Sequence, residues 1–282
     1  MNEPREEDQP KTLFGDLAAT LYQNSHYLFT FGNQSLHNKN TLKKTFIKNT
    51  LLIVFVAGVM SSCVTQRNLK RDHVVALETK FGTMHMILFD DTPLHKAQFI
   101  KLAEEGFYDG LLFHRIIEDF MIQGGDPNSR DAKPGDRLGF GDGGMEKIPY
   151  EFTPKHIHTK GALAAARGGS PEKMSNPAQF YIVDGTTYTD EQLTMMEQRN
   201  KMDYTTDQRA EYMIKGGYPS LDNNYTVYGQ VIDNLDVIDK ISSQPKDPNN
   251  RPTEDIKMKM TVEKIKKKKI TKLYGYQYEG VK

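Results

Sequence analysis

Apolar residues crowd positions 111–117, broken only by His114 and Arg115, and a second short run at 120–123 closes on Gly124-Gly125-Asp126. Two short apolar runs with a tight polar break and a terminal glycine pair predict strand, turn and strand. Upstream, 74–79 and 84–89 read as strands joined by Lys80-Phe81-Gly82-Thr83, a hairpin. Thr92-Pro93 reads as an N-cap followed by proline at the first helical position. The helix that follows presents Phe99, Leu102 and Ala103 on one face and stops at Gly106. Phe107-Tyr108-Asp109-Gly110 then turns the chain into the run at 111.

Downstream, residues 126–149 are rich in Gly and Asp and read as a loop. Gly161-Ala162-Leu163-Ala164-Ala165-Ala166-Arg167 has the composition of a helix, whereas 179–183 reads as a strand. Thr189 to Gln192 and Thr205 to Gln208 each have the form of a capping box, and Gly216-Gly217 ends the second helix. A helical hairpin is therefore expected at about 185–219. Asp233 is the expected cap of a helix carrying Leu235, Val237, Ile238 and Ile241. Ile256, Met258, Met260 and Val262 alternate with Lys257, Lys259 and Thr261, an edge-type strand with one buried face. Residues 266–282 form a basic, Tyr-rich tail expected to be solvated, with contact to an anionic lipid surface as the alternative.

Composition narrows the classes. The chain has 282 residues, and Lys plus Arg equals Asp plus Glu at 37 each, which argues against a nucleic-acid backbone as main partner. A single cysteine, Cys63, excludes an internal disulfide framework. Its surroundings carry a signal of their own. Lys43, Lys44 and Lys48 precede the apolar run 51–60, and Ser61-Ser62-Cys63 follows. That is the order of a secretory signal, with an apolar run short of the ~20 residues of a membrane-spanning helix. Met60-Ser61-Ser62-Cys63 resembles a relaxed bacterial lipobox, in which the cysteine is lipidated and becomes the first mature residue. A buried helix with a free cysteine is the competing reading. The resemblance implies a lipid-anchored protein of a bacterial envelope, facing the periplasm. It divides the chain into 1–62 (extension and signal peptide), a tether at 63–72, a globular domain at 73–265 and the tail. A start site near Leu42 would give the signal its ordinary length.

Metal and phosphate chemistry find little support. Residues 126–131 faintly suggest a calcium loop, but the glycine of the sharp turn is missing and Arg137 stands where a Glu would close the site. The glycines at 139–144 fit neither phosphate-loop spacing. His156 and His158 would share one face of a strand, without a third ligand nearby, and read as two solvent-facing histidines. No metal and no cofactor is expected.

Arg115 is a permanent cation inside a segment otherwise fit for burial. Such a group is held by a carboxylate, here Glu118 or Asp119, or it is working. Phe113-His114-Arg115-Ile116-Ile117, Phe120-Met121 and Gln123-Gly124-Gly125-Asp126 resemble, in order and spacing, the signature of the cyclophilin-type peptidyl-prolyl cis-trans isomerases. The resemblance runs over roughly 74–265. It implies a mainly β fold, a closed eight-stranded antiparallel barrel capped by two helices, with the hairpin as an insertion. It makes 161–167 a strand lining the substrate groove, against its helical composition. It also implies Arg115 as the catalytic group. Phe120, Met121, Tyr181 and Leu221 would form the pocket for the proline ring. Gln123, Gln179, Ala166 and Arg167 would grip the peptide beside it. Three positions depart from the family pattern: Tyr181 where many members have Phe, Tyr225 where larger members have His, and Ser220 in place of the Trp that confers tight cyclosporin binding. Weak cyclosporin affinity is the expectation. The implied partners are proline-containing polypeptides, met by a monomer. A non-catalytic proline-binding chaperone and an envelope scaffold are the competing readings; an intact Arg115 weighs against both.

Overall fold

A computed structural model describes residues 70–169 and 171–278. The expected signal peptide, the lipidated Cys63 and most of the tether lie outside the described residues. The chain begins with a hairpin, β1 (Arg71–Thr79) and β2 (Gly82–Leu88), followed by helix α1 (Pro93–Glu104). Arg71 and Asp72, counted above as tether, already pair in β1. Proline does open α1, but Thr92 gives it no side-chain cap. Next come β3 (Arg115–Ile117), β4 (Met121–Gly124), β5 (Ala162–Ala165) and β6 (Phe180–Val183). The hairpin α2 (Asp190–Asn200) and α3 (Thr206–Ile214) leads to β7 (Val227–Val231), α4 (Asp236–Ser242), β8 (Lys259–Lys266) and α5 (Lys267–Tyr274).

The strands form one eight-stranded antiparallel sheet in the order β3-β4-β6-β5-β7-β2-β1-β8. No ladder closes the sheet into the barrel expected from the sequence: β3 and β8 are the ends of that order and do not pair with each other. The segments just before them meet instead, through a bridge between Leu112 and Lys257 and the bonds Phe113 N–H to Ile256 O and Met258 N–H to Leu111 O. Helices α1 and α4 cover the main core. Phe99 and Leu102 from one, and Val237, Ile238 and Ile241 from the other, pack with Leu77, Met86, Ile116, Ile122 and Phe180.

β5 shows how packing overrides local preference. Its alanines would favour a helix in isolation. Here they are buried between β6 and β7, with Leu163 and Ala165 facing the main core and Ala162 and Ala164 facing a second cluster on the other side of the sheet. Both capping boxes of the insert are formed, Thr189 with Gln192 and Thr205 with Gln208. Arg209 joins the two helices by pairing with Asp190 and Glu197, each at 2.8 Å. The insert has its own small core of Ile157, Leu193, Tyr204 and Tyr212.

Two further expectations are corrected. Asp233 does not cap α4; it accepts from the His85 backbone N–H and faces the His85 ring, both at 2.8 Å. The basic end is not a solvated tail. Ile270 of α5 is buried against Val74 and Ile87, and the Tyr278 hydroxyl donates to Asp72 at 3.2 Å.

Candidate active site

The register of four neighbouring strands places the site. Arg115 of β3 stands opposite Gln123 of β4, Gln123 opposite Tyr181 of β6, and Tyr181 opposite Ala164 of β5. Side chains alternate between the faces of a strand, so this row projects away from Ile116 and Ile122, which enter the main core. The tight β3–β4 turn, with Asp119 at φ 60°, brings Phe120 to the head of the same face.

The result is a cavity of about 110 Å³ lined by Arg115, Phe120, Met121, Gln123, Ala166, Arg167, Tyr181, Leu221 and Tyr225. Nine residues singled out in the sequence thus line one cavity. Gln179 does not. It is buried behind Gln123, accepting from the Gln123 amide at 3.2 Å and donating to the Gly141 carbonyl at 2.6 Å. The backbone of Ala166 is also engaged internally, N–H to Gln179 O and O from Asn176 N–H.

Arg115 is half-buried, and no carboxylate pairs with it among the described residues; Glu118 and Asp119 are exposed. Its Nη1 donates to Gln123 Oε1 at 3.3 Å and lies 3.8 Å from Met121 Sδ, and its guanidinium lies 5.7 Å from the centre of the Phe120 ring. Burial pushes its pKa down while the nearby Tyr225 works the other way, but a guanidinium stays charged throughout the physiological range. Tyr225 packs edge-on against Tyr181 at 5.9 Å and lies under the Arg167 guanidinium at 4.6 Å. Arg167 is fixed by donating to the Asn224 carbonyl at 2.9 Å. The cavity is therefore an aromatic and thioether pocket flanked by two guanidiniums, Arg115 beside Phe120 and Arg167 over Tyr225.

A cyclophilin type peptidyl-prolyl cis-trans isomerase/CLD family model matches residues 74–263. The chain belongs to the cyclophilin-type peptidyl-prolyl cis-trans isomerase family. A Staphylococcus aureus relative (strain USA300), named as a peptidyl-prolyl cis-trans isomerase, is 33% identical over 183 residues, covering 64% of this chain and 87% of that one. A Streptococcus pyogenes protein, named as a bifunctional phosphatase/peptidyl-prolyl cis-trans isomerase, is 36% identical over 191 residues. The match takes in 64% of this chain and only 37% of that longer protein. Among solved structures, a Cryptosporidium parvum cyclophilin type isomerase aligns with 68% of this chain and 98% of its own, at 22% identity and a TM-score of 0.49.

Two features of this cyclophilin were missed or misread in the sequence. His156 and His158 are not solvent-facing. His156 stacks on Phe89 at 3.8 Å and meets Asp91 at 2.6 Å. His158 is fully buried, with Nδ1 2.7 Å from Asp222 and Nε2 2.9 Å from the Tyr181 hydroxyl. His114, inside the signature itself, is buried, and neither ring nitrogen has a hydrogen-bond partner among the described residues. No His/Cys/Asp/Glu group suited to a metal occurs among the described residues.

Proposed function

We propose that this domain accelerates rotation about X–Pro bonds and that Arg115 is its catalytic residue. The observation that carries the reading is the Arg115 guanidinium beside the Phe120 ring in the wall of a ring-sized cavity, with no carboxylate paired to it among the described residues. Rotation breaks amide resonance and faces a barrier of ~18–20 kcal/mol, with no bond to the amide carbon made or broken. Catalysis therefore needs a site that binds the twisted amide better than either planar form. Twisting returns a lone pair to the prolyl nitrogen, and the charged Arg115 donor stabilises that state alone. Phe120, Met121, Tyr181 and Leu221 hold the ring, while Gln123 keeps the guanidinium in place and Tyr225 with Arg167 bounds the far side. The groove also strips water from the amide carbonyl, which favours the less polar twisted form.

The Lys43–Cys63 pattern supports a lipid-anchored isomerase acting on folding proteins of a bacterial envelope, and both bacterial relatives carry isomerase names. Labelling with a fatty-acid analogue, lost in Cys63→Ser, is the expected result; equal labelling of both proteins overturns the anchor.

The activity is tested by the cis-to-trans rate of a short X-Pro peptide with the full chain and with Arg115→Ala. Uncatalysed exchange takes tens of seconds, so modest catalysis is visible. The variant should be slower by about a hundredfold, which is ~2.7 kcal/mol of lost transition-state binding. Equal rates near the uncatalysed value would mean the groove holds proline without turning it.

A further inference from the structure

The polar groups beneath the pocket form one connected, buried set. Asp222 Oδ1 accepts from the His158 backbone N–H at 2.9 Å and lies 2.7 Å from His158 Nδ1. Its Oδ2 accepts from the Tyr204 hydroxyl at 2.7 Å and the Tyr212 hydroxyl at 2.6 Å. A carboxylate only accepts, so His158 Nδ1, 2.7 Å from Asp222 Oδ1, is the donor of that pair. In the neutral ring Nε2 is then an acceptor, and the Tyr181 hydroxyl donates to it at 2.9 Å. Burial pushes the Tyr181, Tyr204 and Tyr212 phenols up, so all three keep the protons these bonds require.

The two ends of this set belong to different parts of the molecule. Tyr181 lines the proline pocket. Tyr212 lies in α3 and Tyr204 just before it, so both hydroxyls come from the inserted hairpin. A second contact reaches the opposite wall independently. Tyr218, where the insert returns to the sheet, packs on Phe120 at 4.3 Å and donates its N–H to the His158 carbonyl at 2.7 Å. Gly217 passes so close to that carbonyl that a Cβ there would lie 2.3 Å from it. The hairpin therefore touches both Phe120 and, through buried hydrogen bonds, Tyr181. A hairpin that only packed would be served as well by apolar residues of the same shape, since burying a carboxylate is costly even when it is fully bonded.

We propose that the helical hairpin is a positioning element for the proline pocket, acting through Tyr204 and Tyr212 on Asp222, through Asp222 on His158, and through His158 on the Tyr181 ring at the pocket floor. Removing the hairpin hydroxyls frees Asp222 and His158 to shift. Tyr181 follows, and Tyr225, packed edge-on against it, moves with it. The consequence is a change in ring binding. Arg115 sits on another wall and keeps its chemistry. The inference rests on the reading of this cavity as the proline site.

The test is a mutant cycle on the full chain. Tyr204→Phe with Tyr212→Phe removes both hydroxyls and keeps both rings; Tyr204→Phe alone is the milder variant if the pair folds poorly. Each is made with Tyr181 intact and in a Tyr181→Phe background. KM and kcat for an Ala-Pro peptide are read from exchange kinetics, and the peptide's Kd from titration calorimetry. With Tyr181 intact, the hairpin variants should raise KM and Kd by about fivefold and leave kcat within about twofold; with Tyr181→Phe the same changes should have little effect, because contacting residues couple. Equal effects in the two backgrounds, or none in either, overturn the proposal. A wild type that binds the peptide without turning it refutes the isomerase reading alone, and the coupling is then read from Kd.

Discussion

Arg115 and Gln123 face each other across the β3–β4 ladder, and Gln123 hands the contact on: its Oε1 accepts from the guanidinium at 3.3 Å while its Nε2 donates to Gln179 at 3.2 Å. Gln179 in turn donates to the Gly141 carbonyl. That carbonyl can only accept, which fixes the sense of both amides, so the oxygen that Arg115 meets is neutral and leaves its charge free for the substrate. Gln123→Glu keeps the shape and supplies a carboxylate. The guanidinium should then pair locally, and kcat/KM for an X-Pro peptide should fall by about tenfold or more, roughly 1.4 kcal/mol. An unchanged rate would show that the charge of Arg115 is not what the pocket uses.

His114 gives a second expectation. Burial lowers its pKa to about 4 from 6.5, with Arg115 and Arg251 adding to the shift and Asp126 opposing it. The folded protein thus holds this ring neutral where the unfolded chain takes up a proton. Stability from this group is complete above pH 6.5 and is lost as pH falls towards 4. The loss is roughly 3 kcal/mol over that window. His114→Phe fills the site with a ring that needs no partner. It should raise the melting temperature at neutral pH and flatten the decline between pH 6.5 and 4. A variant with the wild-type slope in that window would show that other groups set it.

The parts of this molecule legible from its sequence are those set by near neighbours. Period-2 alternation puts Arg115, Met121 and Gln123 on one face of a strand pair, and S/T-x-x-Q spacing marks both helices of the insert. What stayed hidden depends on distant groups. The sidedness of His158 is decided by Asp222, 64 residues on, and by two tyrosines of the insert. Asp233 was drawn from its capping role by His85, 148 residues away. The alanines of β5 obey the sheet on both sides of them, and the lysines of α5 conceal one buried isoleucine. How the sheet's two ends meet was hidden for a related reason. Strand order can be inferred from a resemblance, but how β3 and β8 come together depends on residues 110–113 and 256–258, which meet before either strand begins.

Asp184 carries the last prediction. It closes the turn that aims Phe120, accepting from the Asp119 backbone N–H at 3.1 Å, and it pairs with Lys160 at 2.8 Å. Burial works to raise its pKa, but hydrogen bonds from Lys160 and Ser242 win and hold it below the usual carboxylate value of 3.8. A depressed carboxyl gives stability that is full above the unfolded value and lost as pH falls through the folded one. The acid limb below pH 3.8 is thus separate from the His114 window above pH 4. Asp184→Asn should keep the turn bond to Asp119 and lose the charge facing Lys160. The expected cost is about 1–3 kcal/mol at pH 7, since a partly buried ammonium loses one of its two carboxylates. The cost should shrink as pH falls below 3.8, where the unfolded chain's carboxyl takes up a proton that the folded one still resists. Denaturant titrations at pH 7 and pH 3 decide the matter. An equal loss at both would assign the stabilisation to shape, and Lys160 would then owe its position to Asp239 alone.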